Sequence, residues 1–177
     1  MLAVTLIAVV YFAKAGWWMV GSGVPDLGVA KNSAEDAMVA MQTTEYTCVA
    51  ASMVTMLRAH GIETTETEMA RLANIEVGSG ATDSRAILGL RRGLAGTGLV
   101  VEYQSLDLAG LIAAPKPVMV QLGWGYFTSH MVPVMDASEQ FVVLGDPSLG
   151  KRKVPTEKFL ARWMGQAIVV RVREMAK

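Results

Sequence analysis

The chain of 177 residues has few of the residue types that many kinds of site require. It has one cysteine, so no disulfide can form within the chain. A zinc site with four protein ligands would have to combine that cysteine, the two histidines and carboxylates. Sixteen Lys and Arg residues balance 16 Asp and Glu residues, which leaves no basic excess to attract phosphates. The sequence therefore predicts no nucleic-acid partner, and we expect no bound metal or other cofactor.

The amino-terminal segment is strongly apolar in a chain that is 52% hydrophobic overall. Residues 2–24 contain a single charge, Lys14. As a helix they would extend about 35 Å, enough to cross a hydrocarbon core. A signal peptide and a buried soluble helix are the alternatives, although no basic residue precedes the apolar run as it does in a signal peptide. We expect a transmembrane anchor at 1–24 that contacts lipid, followed by a linker at 25–39.

The remaining chain, 40–177, changes its hydrophobic period near Gly96. Before Gly96, apolar residues recur at helical spacing. After it, β-type runs follow one another, among them 130–136 and 140–146, which predict a hairpin. Helices followed by an antiparallel sheet are typical of an α+β fold, and we expect one domain over 40–177.

Cys48, the only cysteine, is predicted to lie in the first turn of a buried helix that Thr47 caps. A thiol attacks as its thiolate, and the N–H groups at a helix amino terminus favour negative charge. Such a nucleophile also needs a general base, usually histidine. His60 lies about three turns along the same helix, roughly 18 Å away, and cannot reach the thiol. His130, at the start of a distant predicted strand, is the remaining candidate.

The predicted hairpin brings a carboxylate to His130. If residues 137–139 form a three-residue loop, Val134 lies opposite Val142 and His130 lies opposite Asp146. A carboxylate beside an imidazole can fix its tautomer and its orientation.

Gln42 stands six residues before Cys48. Its side-chain amide could lie beside the backbone N–H of Cys48 and give two donors for the charge that develops on an attacked carbonyl. Spacing alone does not separate this role from that of a surface glutamine, and a lone cysteine in an apolar helix is often an inert core residue.

Taken together, these residues resemble the double-glycine, or bacteriocin-processing, cysteine peptidase family, whose fold is papain-like. The shared features, over roughly 40–172, are Gln42, Cys48 with Ala50 and Ala51, His130 with Met131 and Val132, Asp146-Pro147-Ser148-Leu149-Gly150, and the segment EKFLARWMGQAIVV. The resemblance implies Cys48 as nucleophile, His130 as base, Asp146 as the orienting group and Gln42 as oxyanion donor.

Three positions depart from the family pattern. Val49 stands where the family has glycine after the cysteine, and Thr47 stands where it usually has aspartate. Val49 adds bulk beside the thiol, which would narrow the substrate cleft. Pro133 replaces a usual strand residue and cannot donate to a ladder, which predicts a sheet edge or a bulge that would shift the hairpin register.

We expect a membrane-anchored, papain-like cysteine peptidase that cleaves peptide bonds through an acyl-enzyme. The resemblance implies a leader peptide cleaved after a pair such as Gly-Gly. The alternative is a catalytically silent, peptidase-like binding or accessory subunit in a complex with other membrane subunits. The expected location is a bacterial-type membrane with a single pass. The few charges that flank the apolar segment scarcely orient it, and the domain is placed with a slight preference on the extracytoplasmic face.

Overall fold

The computed structural model describes residues 36–78, 80–123 and 129–173. The predicted anchor at 1–24 lies outside these residues. Within the described part of the chain, no helix is both long enough and apolar enough to cross a membrane. The end of the predicted linker is described and is packed on the domain: Val39 is fully buried, and Asp36 forms an ion pair with Lys151 at 2.9 Å.

Three helices precede the first strand, which confirms the expected α+β order. The helices are α1 (Cys48–Ala59), α2 (Glu66–Leu72), α3 (Asp83–Gly93), α4 (Leu108–Ala113) and α5 (Thr156–Leu160). The strands are β1 (Leu99–Ser105), β2 (Val118–Gly123), β3 (Ser129–Ala137), β4 (Phe141–Asp146), β5 (Gly150–Pro155) and β6 (Trp163–Val172). The strands form one antiparallel sheet in the order β1-β6-β2-β3-β4-β5.

Alternating side chains along the strands build a core on each face of this sheet. Met119 of β2 and Met131 of β3 pack with the apolar residues of α1, α2 and α3. Their strand neighbours Val120 and Val132 pack on the opposite face with Leu111 of α4 and Phe159 of α5. Successive side chains of a strand point to opposite faces, so each strand contributes to both cores. The core on the helical face packs α1 against β3, the two elements that carry the predicted nucleophile and base.

Helix α1 begins at Cys48, as predicted, and ends in a Schellman motif. Gly61 adopts the left-handed conformation with φ 73°. Its N–H donates to the Arg58 carbonyl at 2.9 Å, and the Ile62 N–H donates to the Leu57 carbonyl at 3.0 Å. Glycine adopts this conformation without the steric cost that a side chain adds, so the sequence itself sets this end of the helix.

The register predicted for the β3–β4 hairpin is wrong. Val134 pairs with Leu144 rather than with Val142, and a bulge lies between Val134 and Asp136. Most of the difference arises at the turn, which is longer than the predicted loop 137–139: Ala137 itself pairs with Val142, and Asp136 pairs with Val143. The bulge then changes the register by one residue, because two residues of one strand there face one residue of the other. Pro133 lies in an interior strand and not at a sheet edge, since β3 is flanked by both β2 and β4.

Candidate active site

His130 and Asp146 meet at the ends of two neighbouring strands. Nε2 of His130 lies 2.9 Å from Oδ1 of Asp146, and only 8% and 2% of the two residues is exposed. His130 is the second residue of β3, and Asp146 is the last residue of β4. If the pairing of Val134 with Leu144 continued, His130 would lie diagonal to Asp146. Diagonal neighbours lie about 7–8 Å apart at Cα, a gap that a ring side chain such as that of His130 can span.

Asp146 is held by three groups. Its Oδ1 also accepts from the backbone N–H of Ser148 at 2.9 Å, and its Oδ2 lies 3.5 Å from Nη1 of Arg152. Burial by itself would raise the pKa of this carboxyl, but the hydrogen bonds from His130 and Ser148 outweigh it and lower the pKa. Asp146 is therefore ionised when it meets the imidazole at neutral pH.

Cys48 lies beside the same imidazole. It is half-buried at the first position of α1, and its thiol shares a hydrogen bond with His130. Because Nε2 of His130 is taken by Asp146, the other ring nitrogen, Nδ1, is left for the thiol. Burial lowers the pKa of His130, but the hydrogen bonds to Asp146 and Cys48 raise it by a larger amount. The pKa is therefore raised to about 9. The imidazole therefore holds its proton in the folded protein near neutral pH.

A serine in the first part of α1 ties the nucleophile helix to the histidine strand. The hydroxyl of Ser52, which is fully buried, donates to the Met131 carbonyl at 2.9 Å. Met131 follows His130 in β3, so this bond holds α1 against β3 close to the imidazole. Sequence analysis missed this contact, because nothing in the sequence indicates which buried hydroxyl meets a carbonyl 79 positions away.

Gln42 lies in the loop that leads into α1. Its backbone N–H donates to the Pro147 carbonyl at 2.8 Å, which joins this loop to the turn after Asp146. Its side-chain Nε2 donates to the Thr44 carbonyl at 2.8 Å. A carbonyl only accepts, so this bond sets which end of the amide is nitrogen. One N–H of the amide is then used by Thr44, and the second is available to another acceptor.

The first N–H groups of α1 are not capped by the side chain of Thr47. Thr47 occupies the N-cap position as predicted, but its side chain makes no capping hydrogen bond to the helix. Its hydroxyl donates instead to the Thr44 carbonyl at 3.1 Å and lies 2.9 Å from the Thr44 hydroxyl. N–H groups that no side chain caps can donate to an anion at this end of the helix.

A groove of about 510 Å³ opens beside Asp146. Apolar side chains and four basic residues line it: Leu122, Leu144, Asp146, Arg152, Lys153, Val154, Pro155, Lys158, Phe159, Ala161 and Arg162. Asp146 is the only acidic residue of this lining, and it is already paired with His130. The groove therefore suits a partner that is apolar in part and carries negative charge. In the described ranges, no three His, Cys, Asp or Glu residues are grouped so that they could hold a metal ion.

The raised pKa of His130 predicts how stability depends on pH. Because the folded-state pKa of about 9 lies above the ordinary 6.5, the folded protein binds this proton more tightly than the unfolded chain does. The resulting stabilisation is complete below pH 6.5 and is lost as the pH rises towards 9. We expect the contribution of His130 to the free energy of unfolding to fall by on the order of 1–3 kcal/mol between pH 6 and pH 9.5.

Urea unfolding of the wild type and of His130→Gln at both pH values measures this fall. The glutamine variant should show a smaller change than the wild type. His60→Gln is the control, because burial lowers the pKa of His60 and no carboxylate raises it. Equal pH dependence in the wild type and His130→Gln would show that the imidazole is not protonated in the folded state.

Comparisons with known proteins place the chain among peptidases. The family model of the Peptidase C39 family matches residues 36–175. An uncharacterized protein of Methanothermobacter thermautotrophicus is 30% identical over 142 residues, which are 80% of this chain and 94% of that protein. The probable functional amyloid protease FapD of Pseudomonas fluorescens is 29% identical over 133 residues, which are 73% of this chain and 58% of that protein.

Two solved structures have the same fold. The peptidase domain of Streptococcus ComA, a bi-functional ABC transporter involved in a quorum sensing pathway, has a TM-score of 0.66 at 17% identity, covering 75% of this chain and 96% of that domain. A double glycine motif protease from an AMS/PCAT transporter, in complex with the leader peptide, has a TM-score of 0.66 at 18% identity, covering 82% of this chain and 95% of that one. At these identities the likeness concerns the fold, which confirms the expected α+β domain.

Proposed function

Since this chain belongs to the peptidase C39 family, we propose that it is a cysteine peptidase in which Cys48 attacks the peptide bond and His130 is the acid–base partner. The observation that carries the proposal is the chain of hydrogen bonds from Cys48 through His130 to Asp146. A thiol, an imidazole and a carboxylate in this order form the arrangement that activates a nucleophile.

The reaction follows from the positions of these groups. His130 already holds the proton that the thiol has given up, and the thiolate sulfur of Cys48 bonds to the carbonyl carbon of the substrate. The carbonyl oxygen gains negative charge, which the backbone N–H of Cys48 and the second N–H of Gln42 stabilise. His130 then gives its proton to the leaving amine as the carbon–nitrogen bond breaks. Water attacks the thioester, its proton passes to His130, and the carboxylic acid leaves as the thiolate and the protonated His130 are restored.

Asp146 has an orienting role in this mechanism. Its bond to Nε2 keeps Nδ1 towards the sulfur, and its negative charge stabilises the imidazolium. Ser148 donates to the same carboxylate oxygen as His130, and Arg152 lies beside the other oxygen, so both hold the carboxylate in place.

The proposed substrate is a peptide with a Gly-Gly pair before the cleaved bond. The double glycine motif protease with the same fold is in complex with its leader peptide, which supports this class of substrate. The proposal is tested by incubating such a peptide with the protein and locating the cut by mass spectrometry. Cleavage directly after Gly-Gly supports it, and an intact peptide at high enzyme concentration contradicts it.

We place the acidic part of the substrate in the basic groove beside Asp146. Lys158 is exposed on the rim of this groove. Lys158→Glu should raise KM for a peptide with acidic residues near its Gly-Gly pair by about 2–5-fold, the usual range for one exposed charge contact. The kcat should stay the same, because Lys158 has no described contact with Cys48 or His130. Steady-state kinetics at low and high salt measure both constants.

Arg91→Glu is the matched control for this charge reversal, because Arg91 lines a different cleft with Arg173. KM should not change in this control. The groove has no role in binding if Lys158→Glu leaves KM unchanged, or if both variants raise it equally.

We further propose that residues 1–24 anchor the peptidase in a membrane, on the basis of their apolar length. The silent accessory subunit has less support than the enzyme, because the thiol, the imidazole and the carboxylate lie together. A binding module would not need that arrangement.

A further inference from the structure

Glu66 is a buried acid for which the proposed mechanism has no use. It is the first residue of α2 and is fully buried, with 0% exposed. Its Oε1 accepts from the backbone N–H of Thr43 at 3.0 Å. Its Oε2 is also buried and has no hydrogen-bond partner in the described residues. By contrast, Glu68 in the same first turn is exposed.

This placement costs stability. Burying a carboxylate with one oxygen unpartnered is unfavourable, so the position of Glu66 calls for an explanation. A glutamine of the same shape would keep an acceptor for Thr43 and carry no charge. The hydrogen bond to Thr43 is thus the feature of Glu66 that the surrounding structure uses.

The bond acts on the loop that carries Gln42. Thr43 lies between Gln42, whose backbone N–H donates to Pro147, and Thr44, whose carbonyl accepts from the Gln42 side chain. The Thr43 side chain is exposed, so Glu66 is the described contact that draws this residue towards the protein. A shift of Thr43 would move the Gln42 backbone and the Thr44 carbonyl together, and with them the amide.

We propose that Glu66 is a positioning residue: through the Thr43 N–H it holds the Gln42 amide where the oxyanion forms. The inference rests on the proposed function. It makes the buried face of α2 part of the site, although α2 supplies no group that touches the substrate.

The test is a double-mutant cycle of Glu66 with Gln42. Gln42→Ala should lower kcat by about 10²–10³-fold, as loss of an oxyanion donor does. Glu66→Ala should lower kcat by about 10–100-fold and change KM by less than about 3-fold. In the Gln42→Ala background, Glu66→Ala should change kcat by less than about 2-fold, because the group that it positions is already absent. Rates are divided by the concentration of thiol that reacts with an active-site reagent, which removes any loss of folded protein.

Two further variants separate positioning from a structural role. Glu66→Gln keeps the acceptor and should restore kcat to within about 3-fold of the wild type, and Glu68→Ala should leave kcat unchanged. The inference would be overturned if Glu66→Ala lowered kcat by the same factor in the Gln42→Ala background as in the wild type. It would also be overturned by a Glu66→Gln variant as slow as Glu66→Ala.

Hydrogen exchange of the Thr43 amide tests the contact without any turnover. Exchange should be faster in Glu66→Ala and near the wild-type rate in Glu66→Gln, and equal exchange in all three proteins would overturn the inference. If the wild type cleaves no peptide but the exchange result holds, the proposed function fails and the contact stands. If peptide is cleaved and the double-mutant cycle is additive, only the role of Glu66 fails.

Discussion

Cys48→Ala is expected to lower kcat/KM for a Gly-Gly peptide by at least about 10⁴-fold, because no other group in the site can form the thioester. Losses of this size follow removal of the nucleophile in enzymes that act through an acyl-enzyme. The change removes one sulfur atom from a half-buried side chain, so little packing is lost. Initial rates from peptide mass spectrometry, at enzyme concentrations high enough to detect slow turnover, measure the loss.

The fold of this variant should be intact. Helix α1 keeps the Ser52 bond to Met131 and its buried apolar residues, so the melting temperature should stay within a few degrees of the wild type. Cys48→Ser is the matched variant, since its hydroxyl fills the same space and is not ionised by the imidazole at neutral pH. It should also be nearly inactive. Turnover by Cys48→Ala above about 1% of the wild-type rate would remove Cys48 from the mechanism.

His130→Ala is expected to lower kcat by about 10³-fold or more and to slow alkylation of the thiol at pH 6.5. Both effects have one cause. A protonated imidazole beside Cys48 stabilises the thiolate, and the same group transfers the proton during catalysis. Iodoacetamide labelling followed by intact mass measures the first effect, and peptide cleavage measures the second.

His60→Ala is the control for His130→Ala. His60 is the C-cap residue of α1, at the opposite end of the helix from Cys48. Its replacement should leave the labelling rate unchanged. If the wild-type thiol reacts at pH 6.5 no faster than free cysteine, or if both variants react like the wild type, the imidazole does not activate Cys48.

In the β3–β4 hairpin, the local sequence pattern predicted the strands but not their register. The alternation in 130–136 and 140–146 was sufficient to predict β3 and β4 and to place His130 and Asp146 at their ends. It was not sufficient for the register, because the turn is longer than 137–139 and a bulge follows Val134, and both depend on how the two strands are held in the sheet. The side chains of His130 and Asp146 meet despite the shift, with Nε2 of the imidazole 2.9 Å from Oδ1 of the carboxylate.

The residues that support the site were harder to foresee. Ser52, Glu66 and Arg152 belong to residue types that are usually exposed or structurally neutral. Their roles come from contacts with residues distant in the chain: Ser52 with Met131, Glu66 with Thr43. No spacing rule predicts such contacts.

By itself, the sequence determined the order of elements, the start of α1 at Cys48 and the single histidine able to reach that thiol, because periodicity and composition are local properties of the chain. Only the tertiary structure decided the strand register, the hydrogen bonds that surround Asp146 and the buried carboxylate under the Gln42 loop. These depend on which faces pack together, and packing is settled by the whole core at once.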